Sequence, residues 1–176
     1  MKKKQKLTFL AITTALALSA CSSHPPMETV DYVDIERFMG DWYVIGHIPT
    51  WPERDAYNAV ERYELNDDGT IATTFTLQRG GFDARVREMN PKGFVRSENN
   101  AEWAMQFIWP IKGEFLIIYL DEDYEHTIVG RTKRDYVWLM ARKPEMDEDY
   151  YQELVQFIAD RGYDIEDLRR VPHNHE

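Results

Sequence analysis

Between residues 42 and 142 apolar positions recur with a period of two, as in strands that bury one face. In the run from Trp42 to Ile48, Trp42, Val44 and Ile48 share a face. A polar break over 49–58 separates it from the strand at 59–65, which ends in Asn66-Asp67-Asp68-Gly69, a strong turn signal. The segment 70–78 alternates cleanly, with Ile71, Thr73, Phe75 and Leu77 on one face, and Gly80-Gly81 turns it. Residues 84–96 read as a weaker strand interrupted at Asn90-Pro91, where proline implies a bulge or an edge. Strands follow at 102–109, where Trp103, Met105, Phe107 and Trp109 share a face, and at 114–120, which is apolar on both faces. Two more run from His126 to Arg131 and from Tyr136 to Arg142.

The period then changes. Tyr150, Tyr151, Leu154, Phe157 and Ile158 recur at spacings of three and four, so a helix begins after its cap at Asp147. Acidic residues fill its first turn, Arg161 lies near its end and Gly162 is placed to cap it. A weak strand signal surrounds Leu168–Val171. Eight strands joined mostly by short turns imply antiparallel neighbours, and eight such strands close into an up-and-down barrel without a free edge. The predicted class is therefore all-β: an eight-stranded antiparallel barrel with one C-terminal helix. A sandwich would need long crossovers, which the spacing does not provide.

The N-terminus follows another rule. Lys2, Lys3, Lys4 and Lys6 precede an apolar run from Leu7 to Ala20, too short to span roughly 30 Å of hydrocarbon as a helix. A basic start, a short apolar middle and small residues at the end read as a secretory signal over residues 1–20. Leu18-Ser19-Ala20-Cys21 resembles the lipobox of bacterial lipoproteins, which implies cleavage before Cys21 and its acylation. Under the sorting rule of that family, Ser22 in place of Asp implies the outer membrane, with the domain on the periplasmic face. Residues 21–30 are expected to form the lipidated N-terminus and a polar, proline-containing tether, and 31–176 the folded domain.

Composition narrows the function. The chain has 176 residues and a net charge of −10, which disfavours nucleic acid as a partner. Removing residues 1–20 takes away four positive charges and no negative ones, so a hydrophobic anchor suits the remainder better than a polybasic one. Aromatics make up 13%, enough to build a substantial core. The single cysteine excludes an internal disulfide. The five histidines form no helical metal-binding pair, and no nucleophile elbow or phosphate-cradling loop is present. Neither a cofactor, nor a metal, nor enzymatic catalysis is expected.

Three short motifs then occur in order. Gly40-Asp41-Trp42 opens the first strand, Asp121-Glu122-Asp123-Tyr124 lies between the sixth and seventh, and Arg142 ends the eighth. Together they resemble the lipocalins over roughly residues 31–170, and with the lipobox the chain is similar to bacterial outer-membrane lipocalins of apolipoprotein D type. The resemblance implies that Trp42 plugs the closed end beneath Arg142, with Gly40, Asp123 and Tyr124 as structural motif positions. It also implies a fatty acid or lysophospholipid ligand. Alternation extended from these positions places Phe75, Leu77, Trp103, Met105, Phe107, Ile117, Tyr119 and Trp138 on the inner wall, with Phe115 and Met140 beside them. Apolar walls with few polar groups suit an acyl chain, about 0.8 kcal/mol per buried methylene.

The same aromatics also serve as packed core, so a self-filled structural or interaction lipoprotein is the alternative. The 50–57 connection, with Trp51, is a candidate lid. Arg54, Arg79 and Arg85 are candidate headgroup partners. Glu61 would share the inner face with Ala59 and Tyr63, where a carboxylate costs desolvation, so it is expected near solvent unless the parity of that strand is off by one. Whether two protomers pair into a homodimer is not set by the sequence.

Overall fold

A computed structural model describes residues 24–174. The signal segment, Cys21 with its expected acylation, and His175 lie outside the described residues. The strands are β1 (Gly40–Ile48), β2 (Ala56–Leu65), β3 (Thr70–Arg79), β4 (Arg87–Met89), β5 (Lys92–Val95), β6 (Glu102–Ile108), β7 (Ile111–Leu120), β8 (His126–Gly130) and β9 (Val137–Ala141). Each pairs antiparallel with its neighbour, and β9 pairs back onto β1 to close the barrel. β4 and β5 both pair with β3 and form one strand broken at Asn90-Pro91, so the barrel has eight staves. Gly93 is required just past the break. A Cβ there would stand 3.0 Å from Cβ of Ile71 and 3.1 Å from Sδ of Met105, so only glycine lets the bent strand cross so closely.

Helix α2 (Glu148–Asp160) starts where the side chain of Asp147 accepts the N–H of Tyr150 at 3.1 Å. It lays Tyr151, Leu154 and Ile158 against the outer faces of β7, β8 and β9, forming a second core with Ile118, Ile128 and Leu139. Gly162 follows at φ +87°, a left-handed conformation suited to the helix end. The expected strand near 168–171 is the short β10 (Arg169–Arg170), paired with Gly46 and His47 of β1. It lies where β1 has parted from β2: the lower half of β1 pairs with β2, whereas Val171 and Pro172 hydrogen-bond Ile45 and Asn58 across the upper gap.

Two segments differ from the sequence reading. A one-turn helix, α1 (Ile35–Phe38), precedes β1, capped by the side chain of Asp34. It is too short to show periodicity. Residues 27–30, expected as part of a tether, pack on the barrel instead. Met27 is buried in the second core, and the N–H of Val30 donates to Ile117 O at 3.0 Å. Both cores draw only on residues between Met27 and Val171.

Strand direction gives the barrel two unlike ends. The base holds α1, the start of β1, and the β2–β3, β5–β6 and β7–β8 turns. The mouth holds the β1–β2 connection, the β3–β4 and β8–β9 loops, and the tight β6–β7 turn.

Candidate functional site

The three motifs meet at the base. Gly40 takes φ +98°, open to glycine at little cost, and a Cβ there would approach Nη1 of Arg142 to 3.3 Å. Two residues on, Trp42 is fully buried and donates Nε1–H to Phe38 O at 2.8 Å, which fastens α1 beneath the barrel. Arg142 stands 3.8 Å over the indole of Trp42. Its guanidinium donates to the carbonyls of Asp41 at 2.9 Å, Arg37 at 2.7 Å and Tyr124 at 3.1 Å. The third motif's side chain thus ties together backbone of the other two motifs and of α1, by a cation–π contact and three hydrogen bonds. Tyr124 accepts the N–H of Asp34 on its hydroxyl at 2.8 Å. Asp123 is exposed, and Asp121 organises that loop instead, accepting from the N–H groups of Glu125 and His126 and contacting His126 Nδ1 at 2.7 Å.

Above the plug, the lower interior is filled with rings. Phe38, Tyr63, Trp103 and Phe115 pack with centroids 5.0–5.9 Å apart, Trp103 stacking on Phe115. Ile117 belongs to the same inner cluster, together with Phe75, Leu77 and Met105 higher up, and Trp138 packs against it. Six of the eight expected wall positions therefore face inward.

Phe107 and Tyr119 do not, and each lies beyond a break in pairing. The register of β6 shifts between Met105 and Ile108, and Phe107 emerges at the mouth, 56% exposed. The register of β7 shifts between Ile117 and Tyr119, which turns Tyr119 outward under α2. There its hydroxyl bonds that of Tyr150 at 2.8 Å and its ring meets Phe157. A bulge moves every later side chain to the opposite face, and strict alternation cannot foresee it.

The mouth is stoppered from within. The connection between β1 and β2 forms a turn, Trp51–Glu53, that covers the opening. Glu53, an exposed-type residue by sequence, is buried, and its carboxylate accepts Trp138 Nε1–H at 2.7 Å and the hydroxyl of Thr50. The same carboxylate lies 3.5 Å from Nδ1 of buried His47. Outside, Arg79 stacks on Trp51 at 5.1 Å. Asp55 and Asn58 flank the lid with positive φ of 60° and 47°, the backbone turns that bring it back over the barrel. Periodicity gave no sign of Glu53 or His47, since neither lies on a regular apolar face. The lid, the β3–β4 loop and the end of β3 bring Arg54, Arg79 and Arg85 to this one end.

Glu61 is neither near solvent nor out of phase. Ala59, Glu61 and Tyr63 all face inward and are buried, and the hydroxyl of Tyr63 donates to the Glu61 carboxylate. Burial pushes the Glu61 carboxyl up to about 7; the Tyr63 hydrogen bond opposes this and the charge of Glu53 adds to it. At neutral pH the Glu61 carboxyl is thus part-protonated, with Glu53 buried nearer the mouth. The hydroxyl of Thr73 and Nδ1 of His47 are buried with no hydrogen-bond partner among the described residues. Beside the lid, a cleft of about 700 Å³ opens between His47, Arg54, Tyr57, Tyr136, Arg169 and Arg170.

A closed antiparallel barrel, plugged at one end, lidded at the other and braced by one helix, defines a calyx protein. The lipocalin-like domain family matches residues 33–173, and the chain belongs to that family. It is 31% identical over 153 residues to temperature-induced lipocalin-1 of Arabidopsis thaliana, covering 83% of this chain and 82% of the relative. It is 29% identical over 161 residues to the outer membrane lipoprotein Blc of Escherichia coli K12, covering 88% and 89%. Among solved structures, insecticyanin of the tobacco hornworm Manduca sexta superposes with a TM-score of 0.66 at 12% identity, over 86% of this chain and 87% of that one.

Proposed function

We propose that the protein binds one acyl-chain lipid, a fatty acid or a lysophospholipid, in the upper half of the barrel and carries or stores it in the cell envelope. The observation that carries this reading is the inner wall above the rings. Phe75, Leu77 and Met105, with Trp138 beside them, form an apolar surface closed off by a lid that a few polar contacts hold. Lifting the 49–55 segment would withdraw Glu53 and open that wall to a hydrocarbon chain. Each methylene buried there contributes about 0.8 kcal/mol. The process is reversible binding without covalent chemistry. Its apparent affinity is set by the wall and by the fraction of molecules with the lid raised.

Residues 1–20 act in this reading as a signal, Cys21 as the acylated anchor, and the outer membrane as the site of attachment on the periplasmic face. Similarity to Blc, an outer membrane lipoprotein, supports that placement. Delipidated protein titrated with palmitate should show saturable quenching of tryptophan fluorescence at one ligand per barrel. A flat titration overturns the reading. One observation favours a rival, a self-filled envelope protein: the lower interior is packed ring on ring, with Trp103 and Phe115 stacked at 5.0 Å.

A further inference from the structure

The two ends of the barrel differ in what they present to solvent. Among the described residues, ten large apolar side chains are exposed, and seven of them stand at the mouth. They come from three separate connections: Trp51 from the lid, Phe82 and Val86 from the β3–β4 loop, and Phe107, Ile108, Trp109 and Ile111 from the β6–β7 hairpin. Trp109 is 83% exposed, and Ile108 and Ile111 are 71% exposed. A hairpin that ends in Phe-Ile-Trp-Pro-Ile gains nothing from water. Clustering of this kind marks a surface that another apolar phase covers.

Charge selects that phase. Around the tips, Arg54, Arg85, Arg87, Lys112 and Lys133 are exposed, interspersed with exposed Asp55, Asp83, Glu88 and Glu114, so the mouth carries a slight basic excess. The base is more acidic: Asp67, Asp68, Glu98, Glu122 and Asp123 are exposed in its turns, offset in part by exposed Arg37, Arg62, Lys92 and Arg96. Strands of 9–10 residues, about 30 Å long and tilted in the closed barrel, hold the two ends roughly 20–25 Å apart. At physiological ionic strength charges are screened over about 8 Å, so the acidic base does not cancel the field at the mouth. The net charge of −10 is therefore concentrated away from the mouth, whose slight basic excess does not repel an anionic surface.

The path of the chain agrees. Pro25 O accepts Nη1–H of Arg134 in the β8–β9 loop at 2.5 Å, and Glu28 pairs with Arg161 at 3.0 Å, so the first described residues lie on the mouth side. Cys21 stands four residues earlier in the sequence. An acyl anchor there and the apolar tips would meet the same bilayer.

We infer that the mouth is a membrane-docking face: the β6–β7 hairpin, the β3–β4 loop and Trp51 enter the headgroup region of an anionic bilayer, and the basic collar contacts lipid phosphates. Tryptophan and isoleucine at loop tips, with arginine and lysine behind them, suit that depth. The inference does not depend on what fills the barrel, because the tips and the collar lie outside it. It turns the mouth toward the phase that holds acyl lipids.

The test uses the chain from residue 22 onward, which has no cysteine and contains every residue of both cores. It should float with vesicles of phosphatidylethanolamine and phosphatidylglycerol, and much less with phosphatidylcholine alone. The double variant Ile108→Ser/Trp109→Ser should reduce the bound fraction roughly tenfold while thermal unfolding stays unchanged. Arg85→Glu/Lys112→Glu should remove the preference for anionic lipid. Tryptophan emission should shift to the blue with vesicles, and the shift should shrink in the Trp109 variant. Absence of flotation with anionic vesicles, or flotation indifferent to both variants, overturns the inference. So does a concentration-dependent dimer abolished by Ile108→Ser/Trp109→Ser without vesicle binding, which would make a second copy the occupant.

Discussion

The base and the mouth are built from the same strands yet solve opposite problems. At the base the strong donors of the motifs are satisfied locally: Trp42 donates its N–H to the carbonyl of Phe38, and Arg142 donates to three carbonyls. At the mouth a buried glutamate is held by Trp138 and Thr50, with His47 Nδ1 at 3.5 Å and not hydrogen-bonded, and apolar tips face water. The first arrangement has one low-energy state. The second leaves polar groups under-satisfied and apolar groups exposed, so it has somewhere else to go. If the mouth admits a ligand, amide exchange there should be faster than at the base.

The difference is broken most severely at the base. Replacing Trp42 with Ala removes the plug and the face beneath Arg142. It should cost about 4 kcal/mol in chemical denaturation. Lipid affinity per folded molecule should change little, as palmitate titration of the surviving native fraction would check.

Next comes the carboxylate between the two ends. Glu61 titrates near 7 in the folded protein against 4.5 for the ordinary side chain, so the native state binds its proton more tightly than the unfolded chain does. The sign follows: the destabilisation is absent well below 4.5, grows as pH rises from there, and is complete above about 7. It amounts to roughly 3–4 kcal/mol, at about 1.4 kcal/mol per unit. Urea midpoints for Glu61→Gln should therefore exceed wild type at pH 8 and converge with it at pH 4. A constant difference across that range would show that the carboxyl does not change protonation on folding.

Effects at the mouth are smaller in stability and larger in binding. Trp138→Ala deletes apolar wall and the partner of Glu53, and fluorescence competition should show lipid affinity weakened about tenfold. Glu53→Gln keeps the shape of the lid but removes its charge, which weakens its hydrogen bond to Trp138 by about 1 kcal/mol. Amide exchange over 50–55 should accelerate, lipid should associate faster, and global stability should move least of all. With that charge gone, the raised titration of Glu61 should also fall.

Most of the fold was legible in the sequence, because alternation, turn residues and one change of period report it directly. The break at Asn90-Pro91, the cap at Asp147 and the strand near 168–171 are all found where the residues place them. α1 was hidden because one turn carries no period. The inner wall was legible up to Met105 and Ile117, where the strands keep their pleat, and lost beyond them, where bulges turn Phe107 and Tyr119 out. The lid was visible as a polar gap carrying Trp51. Its buried Glu53 was not, since charge by itself reads as solvent-facing. Glu61 was correctly phased and its surroundings misjudged, because a proton and the Tyr63 hydroxyl can keep a carboxyl inside.

The most direct trial of the lidded upper wall is native mass spectrometry of protein purified from membranes without delipidation, followed by extraction of whatever it carries. One fatty acid or lysophospholipid per barrel, displaced by added palmitate and diminished in Trp138→Ala, is the predicted result. A fully folded protein that carries none and takes up none when palmitate is added would contradict it.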